Sequence, residues 1–261
     1  MKKKYYPAVF FDIDGTLYDH ESNCIPALHM KMLKELQEKG TKVCLCTARA
    51  LPLIENLGIL HVFPWDLIVA GNGSYIYNEK MQLIYENCID PTSAKQVFEL
   101  AKKENASLFV AGNTAFTTDL SPKVQKILDD NHVRPLPVRT MKEQDRFCVM
   151  SYIVDNPTER RESLEAIAGI HPIYSRASID IIKEGLSKYH GVQLAMQYMG
   201  LDEHNYMAFG DGASDLEMLE NASFAAAMED GDPILLNKIH NHCPNAHKAG
   251  IYTYLKEEGI L

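Results

Sequence analysis

The chain opens with short apolar runs that alternate with stretches of helical periodicity. Ala8–Phe11, Lys42–Cys46 and Leu67–Ala70 are runs of the first kind. Near-continuous apolar runs of this length suit strands covered on both faces. Between the first two, Ile25, Leu28, Met32, Leu33 and Leu36 recur at helical spacing, which predicts a helix stopped by Gly40. Pro52–Leu57 predicts a second, shorter helix. Strand and helix in this rhythm predict an α/β fold with a doubly wound, Rossmann-like parallel sheet.

From Ser74 the rhythm changes. Tyr75–Tyr77 and Gln82–Tyr85, on either side of Asn78-Glu79-Lys80, read as a hairpin. Helical stretches are expected near 92–104, 121–130 and 157–168, separated by extended pieces at 107–118, 147–154 and 172–182. Adjacent extended pieces around polar turns such as Gly112-Asn113-Thr114 have the pattern of an α+β insert. Past Gly185 the first rhythm returns, with a helix at 187–199, a strand at 206–209, a helix at 214–220 and a strand at 224–227. The expected organisation is therefore a core formed by 1–80 and 185–261, interrupted by an α+β domain at 81–184.

Acids and glycines gather where the predicted core strands end. Asp12 and Asp14 follow the first strand, Thr47 the second, and Gly71-Asn72-Gly73 the third. Gly210-Asp211-Gly212, with Ser214 and Asp215, follows a later one. Parallel sheets bind ligands at the carboxyl ends of their strands, so this fold class brings all four segments to one mouth. Several carboxylates in one cleft raise each other's pKa values unless a cation sits among them. Oxygen ligands without His or Cys suit Mg²⁺. Gly15, Gly73, Gly210 and Gly212 permit tight turns and close backbone approach to an anion.

Composition narrows the partners. With 26 Lys and Arg against 35 Asp and Glu, the formal net charge is -9, which argues against sequence-independent nucleic-acid binding. Lys2, Lys3 and Lys4 form the one tight basic cluster and read as a solvated tail, since no secretory apolar region follows. No apolar run reaches the roughly 18 residues of a membrane span. None of the six cysteines forms Cys-x-x-Cys, and Cys44 and Cys46 are too near each other in one strand for a normal disulfide. Reduced thiols in a cytoplasmic protein are expected. The histidines show no metal-ligand spacing.

DIDGTL at 12–17, Thr47, Lys188 in GLSKYHG and GDGASD at 210–215 resemble, in order and spacing, the four motifs of the haloacid dehalogenase-like (HAD) superfamily. The insert between the second and third motifs, with IVAGNGSYIY and FGDGASDLEML, resembles the Cof-type phosphatase subfamily and its large cap. The resemblance implies a Mg²⁺-dependent phosphatase acting on a small phosphate ester, such as a sugar phosphate or cofactor phosphate. It implies Asp12 as nucleophile, forming an aspartyl-phosphate, and Asp14 as general acid and base. It further implies Thr47 and Lys188 on the phosphoryl group, and a metal held by the Asp12 side chain, the Asp14 carbonyl and Asp211, with Asp215 close by. Lys183 is the other candidate for the third-motif lysine. Asn72 and Gly73 serve either substrate binding or a turn, and Arg49 either a salt bridge or substrate. Ser214 stands where the family often has Asn, and reads as a hydrogen-bond donor or helix cap. The MEDGDP stretch at 228–233 also departs from the pattern. A phosphomutase needs the same aspartates, and a receiver-type phosphoacceptor domain shares Asp, Mg²⁺ and Lys but not the insert or the DxD spacing. Oligomeric state is not legible.

Overall fold

The computed structural model describes residues 5–261, so the Lys2–Lys4 cluster lies outside the described residues. In chain order the strands are β1 (Ala8–Phe11), β2 (Lys42–Cys46), β3 (Leu67–Ala70), β4 (Tyr75–Asn78), β5 (Leu83–Glu86), β6 (Ser107–Gly112), β7 (Ala115–Thr117), β8 (Phe147–Ile153), β9 (Ile170–Tyr174), β10 (Ile179–Lys183), β11 (Tyr206–Gly210), β12 (Phe224–Met228) and β13 (His242–Cys243). The helices are α1 (Ala27–Glu38), α2 (Leu51–Leu57), α3 (Pro91–Glu104), α4 (Pro122–Asp130), α5 (Glu162–Glu165), α6 (Lys188–Tyr198), α7 (Leu216–Glu220), α8 (Pro233–Lys238) and α9 (Gly250–Glu257). The chain forms two compact units, one of residues up to Ala48, His61–Glu86 and Ser187–Leu261, the other of Arg49–Leu60 and Asn87–Leu186.

The first unit is built on an eight-stranded sheet in the order β13-β12-β11-β1-β2-β3-β4-β5. The six strands from β13 to β3 run parallel, and β4 and β5 add an antiparallel hairpin. The chain winds outward from β1 through β2 and β3, then resumes at β11 and winds the other way. The order therefore reverses between β1 and β11, which opens a crevice at their carboxyl ends. Phe10, Cys44, Val69 and Ala208 pack with Val192, Ala195 and Met196 of α6 in a fully buried core. Burying such runs on both faces is what makes them strands instead of amphipathic helices.

The second unit holds a five-stranded antiparallel sheet in the order β7-β6-β8-β10-β9. Its core gathers Val97, Leu108, Phe116, Phe147, Tyr152 and Ile181. Asp90 and Ser121 cap the starts of α3 and α4 by accepting from Thr92 N and Val124 N. The extended pieces expected at 107–118 and 172–182 each resolve into two strands about a turn. The helix expected at 157–168 is corrected to one turn, Glu162–Glu165. Pro157 and Asn156 begin a turn, with Glu159 N donating to Asn156 O at 3.2 Å, and Leu164 is the one buried side chain in α5. A helix with so little to bury has little to hold it.

All six cysteines are free, and five are buried. No helix among the described residues is long and apolar enough to cross a membrane.

The two cores have separate reporters. Trp65, the single tryptophan, is fully buried in the first unit. Phe147 is fully buried in the second, its ring centroid 5.8 Å from those of Phe98 and Phe116. Phe147→Ala should cost about 3–5 kcal/mol by leaving a cavity. In urea, the far-ultraviolet circular dichroism transition of this variant should begin below the Trp65 fluorescence transition. Coincident transitions, both shifted, would mean that the units unfold as one.

Candidate active site

The site grows from the ends of β1, β2, β3 and β11. β1 ends at Phe11, and Asp12 N still donates to Phe209 O at 3.0 Å, so the first carboxylate is tied to the neighbouring strand. β11 ends at Gly210, and the chain turns sharply into a 3₁₀ turn, Ala213–Asp215. Asp215 is fully buried there and accepts from Asp211 N at 3.2 Å and Gly212 N at 3.0 Å. This carboxylate caps the turn, while Ser214 is exposed within it, so the capping role expected of Ser214 falls to Asp215. The 228–233 stretch closes on the same turn, with Asp232 N donating to Asp211 O at 2.7 Å.

Lys188 enters from the start of α6. Ser187 caps that helix by accepting from His190 N at 3.2 Å. The ammonium donates to Asp12 Oδ1 at 2.7 Å and to Asp215 Oδ1 at 2.6 Å, and the side chain is 2 % exposed. Asp211 completes the group. One carboxylate oxygen from each of Asp12, Asp211 and Asp215 lies within 4.8 Å of the others, among the described residues. Thr16 Oγ1 donates to Asp211 Oδ1 at 3.0 Å. A Cβ on Gly15, at φ +75°, would lie 2.5 Å from Asp211 Oδ2, so only glycine lets the first-motif loop pass this close.

The charges explain the titration. Burial raises the Asp12 pKa well above the ordinary carboxylate range; Lys188 opposes this, and Asp215 and Asp211 add to it. Burial and the Asp215 charge push the Asp211 carboxyl up to about 6. Burial works against the Lys188 ammonium, but Asp12 and Asp215 outweigh it and raise its pKa. Three acids and one lysine carry a formal charge of minus two when ionised, which a divalent cation would balance. Their donors are all oxygens, as a hard cation prefers.

The other sequence candidates fall around this cluster in different ways. Asp14 Oδ1 lies 2.8 Å from His20 Nε2, and its carboxylate is not in the three-acid group. Thr47 is buried at the end of β2. Its N–H is committed to Val69 O at 2.9 Å, so a phosphate role must use its hydroxyl. Asn72 N donates to Thr47 O at 3.0 Å, which joins the second and third strand ends. Asn72 sits at φ +54°, and its Oδ1 is buried without a hydrogen-bond partner. Gly73, at φ +89°, packs on α6, where a Cβ would meet Ser187 O at 2.5 Å. Its glycine thus serves helix placement. Lys183 and Arg49 belong to the second unit, where Lys183 donates to the Asn87 side chain and Arg49 Nη2 to Asn131 O at 2.8 Å. Sequence reasoning gave no role to Thr16 or His20; the only signal for Thr16 was its place inside the first motif.

Known proteins carry the same architecture. A family model of haloacid dehalogenase-like hydrolases matches residues 9–255. A Bacillus subtilis protein named "Putative phosphatase YkrA" is 27% identical over 267 residues, covering 97% of this chain and 98% of its own. An HMP-PP phosphatase of Citrobacter koseri is 24% identical over 253 residues, covering 90% of each chain. The solved structure of the HAD subclass IIB sugar phosphatase BT4131 aligns with a TM-score of 0.82 and 26% identity, covering 97% of this chain and 99% of its own.

The raised Asp211 pKa has a consequence for stability. The folded state binds this proton more tightly than the unfolded chain, whose carboxylate has the ordinary value of 3.8. Stability from that proton is complete below the unfolded pKa and is lost as pH rises through about 6. In chelator-treated protein, Asp211→Asn should therefore melt at a higher temperature than the parent at pH ~7.5, and the difference should vanish near pH ~4. A variant less stable than the parent at the higher pH would contradict this charge balance.

Proposed function

Since the chain belongs to the haloacid dehalogenase-like hydrolase family, we propose that it is a Mg²⁺-dependent phosphatase of small phosphorylated metabolites, working through an aspartyl-phosphate on Asp12. The observation that supports this best is the Lys188 ammonium bonded to both Asp12 and Asp215, with Asp211 in reach. Such a buried group of acids has no use in a simple turn, and its charge and donors fit a divalent cation and a phosphoryl group together.

Asp12 attacks phosphorus while the ester P–O bond breaks, and Asp14 gives its proton to the departing oxygen. Asp14 then takes a proton from water as the water attacks phosphorus, which frees phosphate and restores the Asp12 carboxylate. Lys188 opposes protonation of Asp12 and offsets charge on the phosphoryl oxygens. The Thr47 hydroxyl holds one of those oxygens. The Asp12 carboxylate, the Asp14 carbonyl and Asp211 would hold Mg²⁺, with Asp215 close by. When bound, it offsets the negative charge of the transferring group. Thr16 and the 228–233 loop hold Asp211 for that task.

The unpartnered Asn72 Oδ1 is suited to accept from a substrate hydroxyl. The insert expected at 81–184, less β5, which belongs to the first unit's sheet, acts as the cap and supplies most leaving-group contacts. The phosphatase names of the relatives support a phosphate monoester or a small diphosphate as substrate. The free, mostly buried thiols suit a reducing, cytoplasmic setting.

Two outcomes test this reading. Asp12→Asn should lower kcat on p-nitrophenyl phosphate by more than about 10³-fold with the fold intact by circular dichroism. Turnover near that of the parent would end the covalent mechanism. Exhaustive chelation should abolish hydrolysis and millimolar Mg²⁺ restore it; activity indifferent to chelation would remove the metal from the mechanism.

A further inference from the structure

His20 holds the carboxylate of Asp14. Its Nε2 lies 2.8 Å from Asp14 Oδ1, and both side chains are part-buried. An ionised carboxylate only accepts, so Nε2–H is the donor. This contact is assembled by a short, well-tied loop. Leu17 N and Tyr18 N donate to Ile13 O at 3.1 and 2.8 Å, and Asp14 and Tyr18 pair as an isolated bridge. The His20 ring stands edge-on to the buried Tyr18 ring, 5.0 Å between centroids. On the far side, the buried Asp19 carboxylate accepts from Glu21 N and Ser22 N, each at 3.1 Å. Asp19 and Cys24 also exchange backbone bonds. His20 is thus braced before and after, and its ring has a fixed wall.

We propose that His20 is the positioning residue for the general acid. The inference rests on the phosphatase reading. A carboxyl group that must deliver a proton to a leaving oxygen has to present one oxygen at a defined place, and Asp14 sits half-exposed on a loop. A donor at Oδ1 restrains the rotation of the carboxyl group and leaves Oδ2 for the ester oxygen. In the first step the Oδ2 proton passes to the ester oxygen as the bond from that oxygen to phosphorus breaks and the bond from Asp12 to phosphorus forms. In the second, Oδ2 takes a proton from the attacking water. His20 keeps its hydrogen bond to Oδ1 in both steps and is neither the donor nor the acceptor of the proton in flight. Because His20 acts through the Asp14 carboxylate, its effect is specific to the leaving group.

That specificity supplies the test. The p-nitrophenolate group leaves well without a proton, whereas a sugar or glycerol alkoxide needs one. The parent and the variants His20→Ala and His20→Gln are compared by kcat/KM on p-nitrophenyl phosphate and on an alkyl phosphate that the parent hydrolyses. His20→Ala should lose about 10²-fold on the alkyl ester and less than about 3-fold on the aryl ester. His20→Gln, whose amide nitrogen reaches about as far as Nε2, should recover most of the alkyl activity. Should His20→Ala not fold, His20→Asn, with an amide too short to reach Asp14, takes its place and should show the same split. Equal losses on both esters, no loss on the alkyl ester, or no recovery with Gln would overturn the positioning role. A parent protein that hydrolyses neither ester would overturn the phosphatase reading itself, and this inference with it.

Discussion

The Lys188 ammonium, buried between Asp12 and Asp215, is the contact around which the first unit is organised. A lone buried ammonium would be costly, and so would either carboxylate without it. The pairing ties the end of β1, the turn after β11 and the first residue of α6 into one point. The packing of α6 serves the same end. Gly73 and Gly191 approach so closely that a Cβ on Gly191 would lie 2.9 Å from Gly73 Cα. That approach lets the helix start beside the strand ends, and the Ser187 cap fixes its first turn.

The arrangement leaves negative charge in excess. Lys188 satisfies one oxygen each of Asp12 and Asp215, while Asp211 is held by Thr16 and by the backbone of the 228–233 loop. Burial raises the pKa values of Asp12 and Asp211, and the charges of the neighbouring acids add to it. A divalent cation would offset this imbalance. The elements that maintain it are strand ends and short turns of a parallel sheet, with His20 and Asp14 paired on the adjoining loop.

Much of this was legible because it is locally encoded. The apolar runs of β1, β2 and β3 and the periodicity of α1 marked the parallel sheet, and the acids stood directly at strand ends. Lys188 was separable from Lys183 by its place in GLSKYHG, at the start of the helix expected at 187–199. What the sequence concealed depends on packing or on single rotamers. Nothing in Pro157–Ala168 announced that its helix would stop at one turn, with Leu164 the one buried side chain in it. The two-residue β13 is too short for any period, and it owes its existence to pairing with β12. The grouping of α2 with residues 87–186 is a contact of distant segments that no local pattern carries. His20 is six residues from its partner, yet a lone histidine in a polar loop gives no sign of which carboxylate it will meet. Ser214 illustrates the converse: a good capping residue lost the position to Asp215, whose carboxylate was already buried and needed donors.

The central claim is that Asp12 carries the phosphoryl group covalently between two displacements. The most direct measurement is the stereochemical course at phosphorus, using an ester whose phosphoryl group is made chiral by sulfur and oxygen-isotope substitution and hydrolysed in isotopically labelled water. Each in-line displacement inverts phosphorus, so attack by Asp12 followed by attack by water predicts net retention. Net inversion would mean a single direct attack by water, and would contradict the role assigned to Asp12.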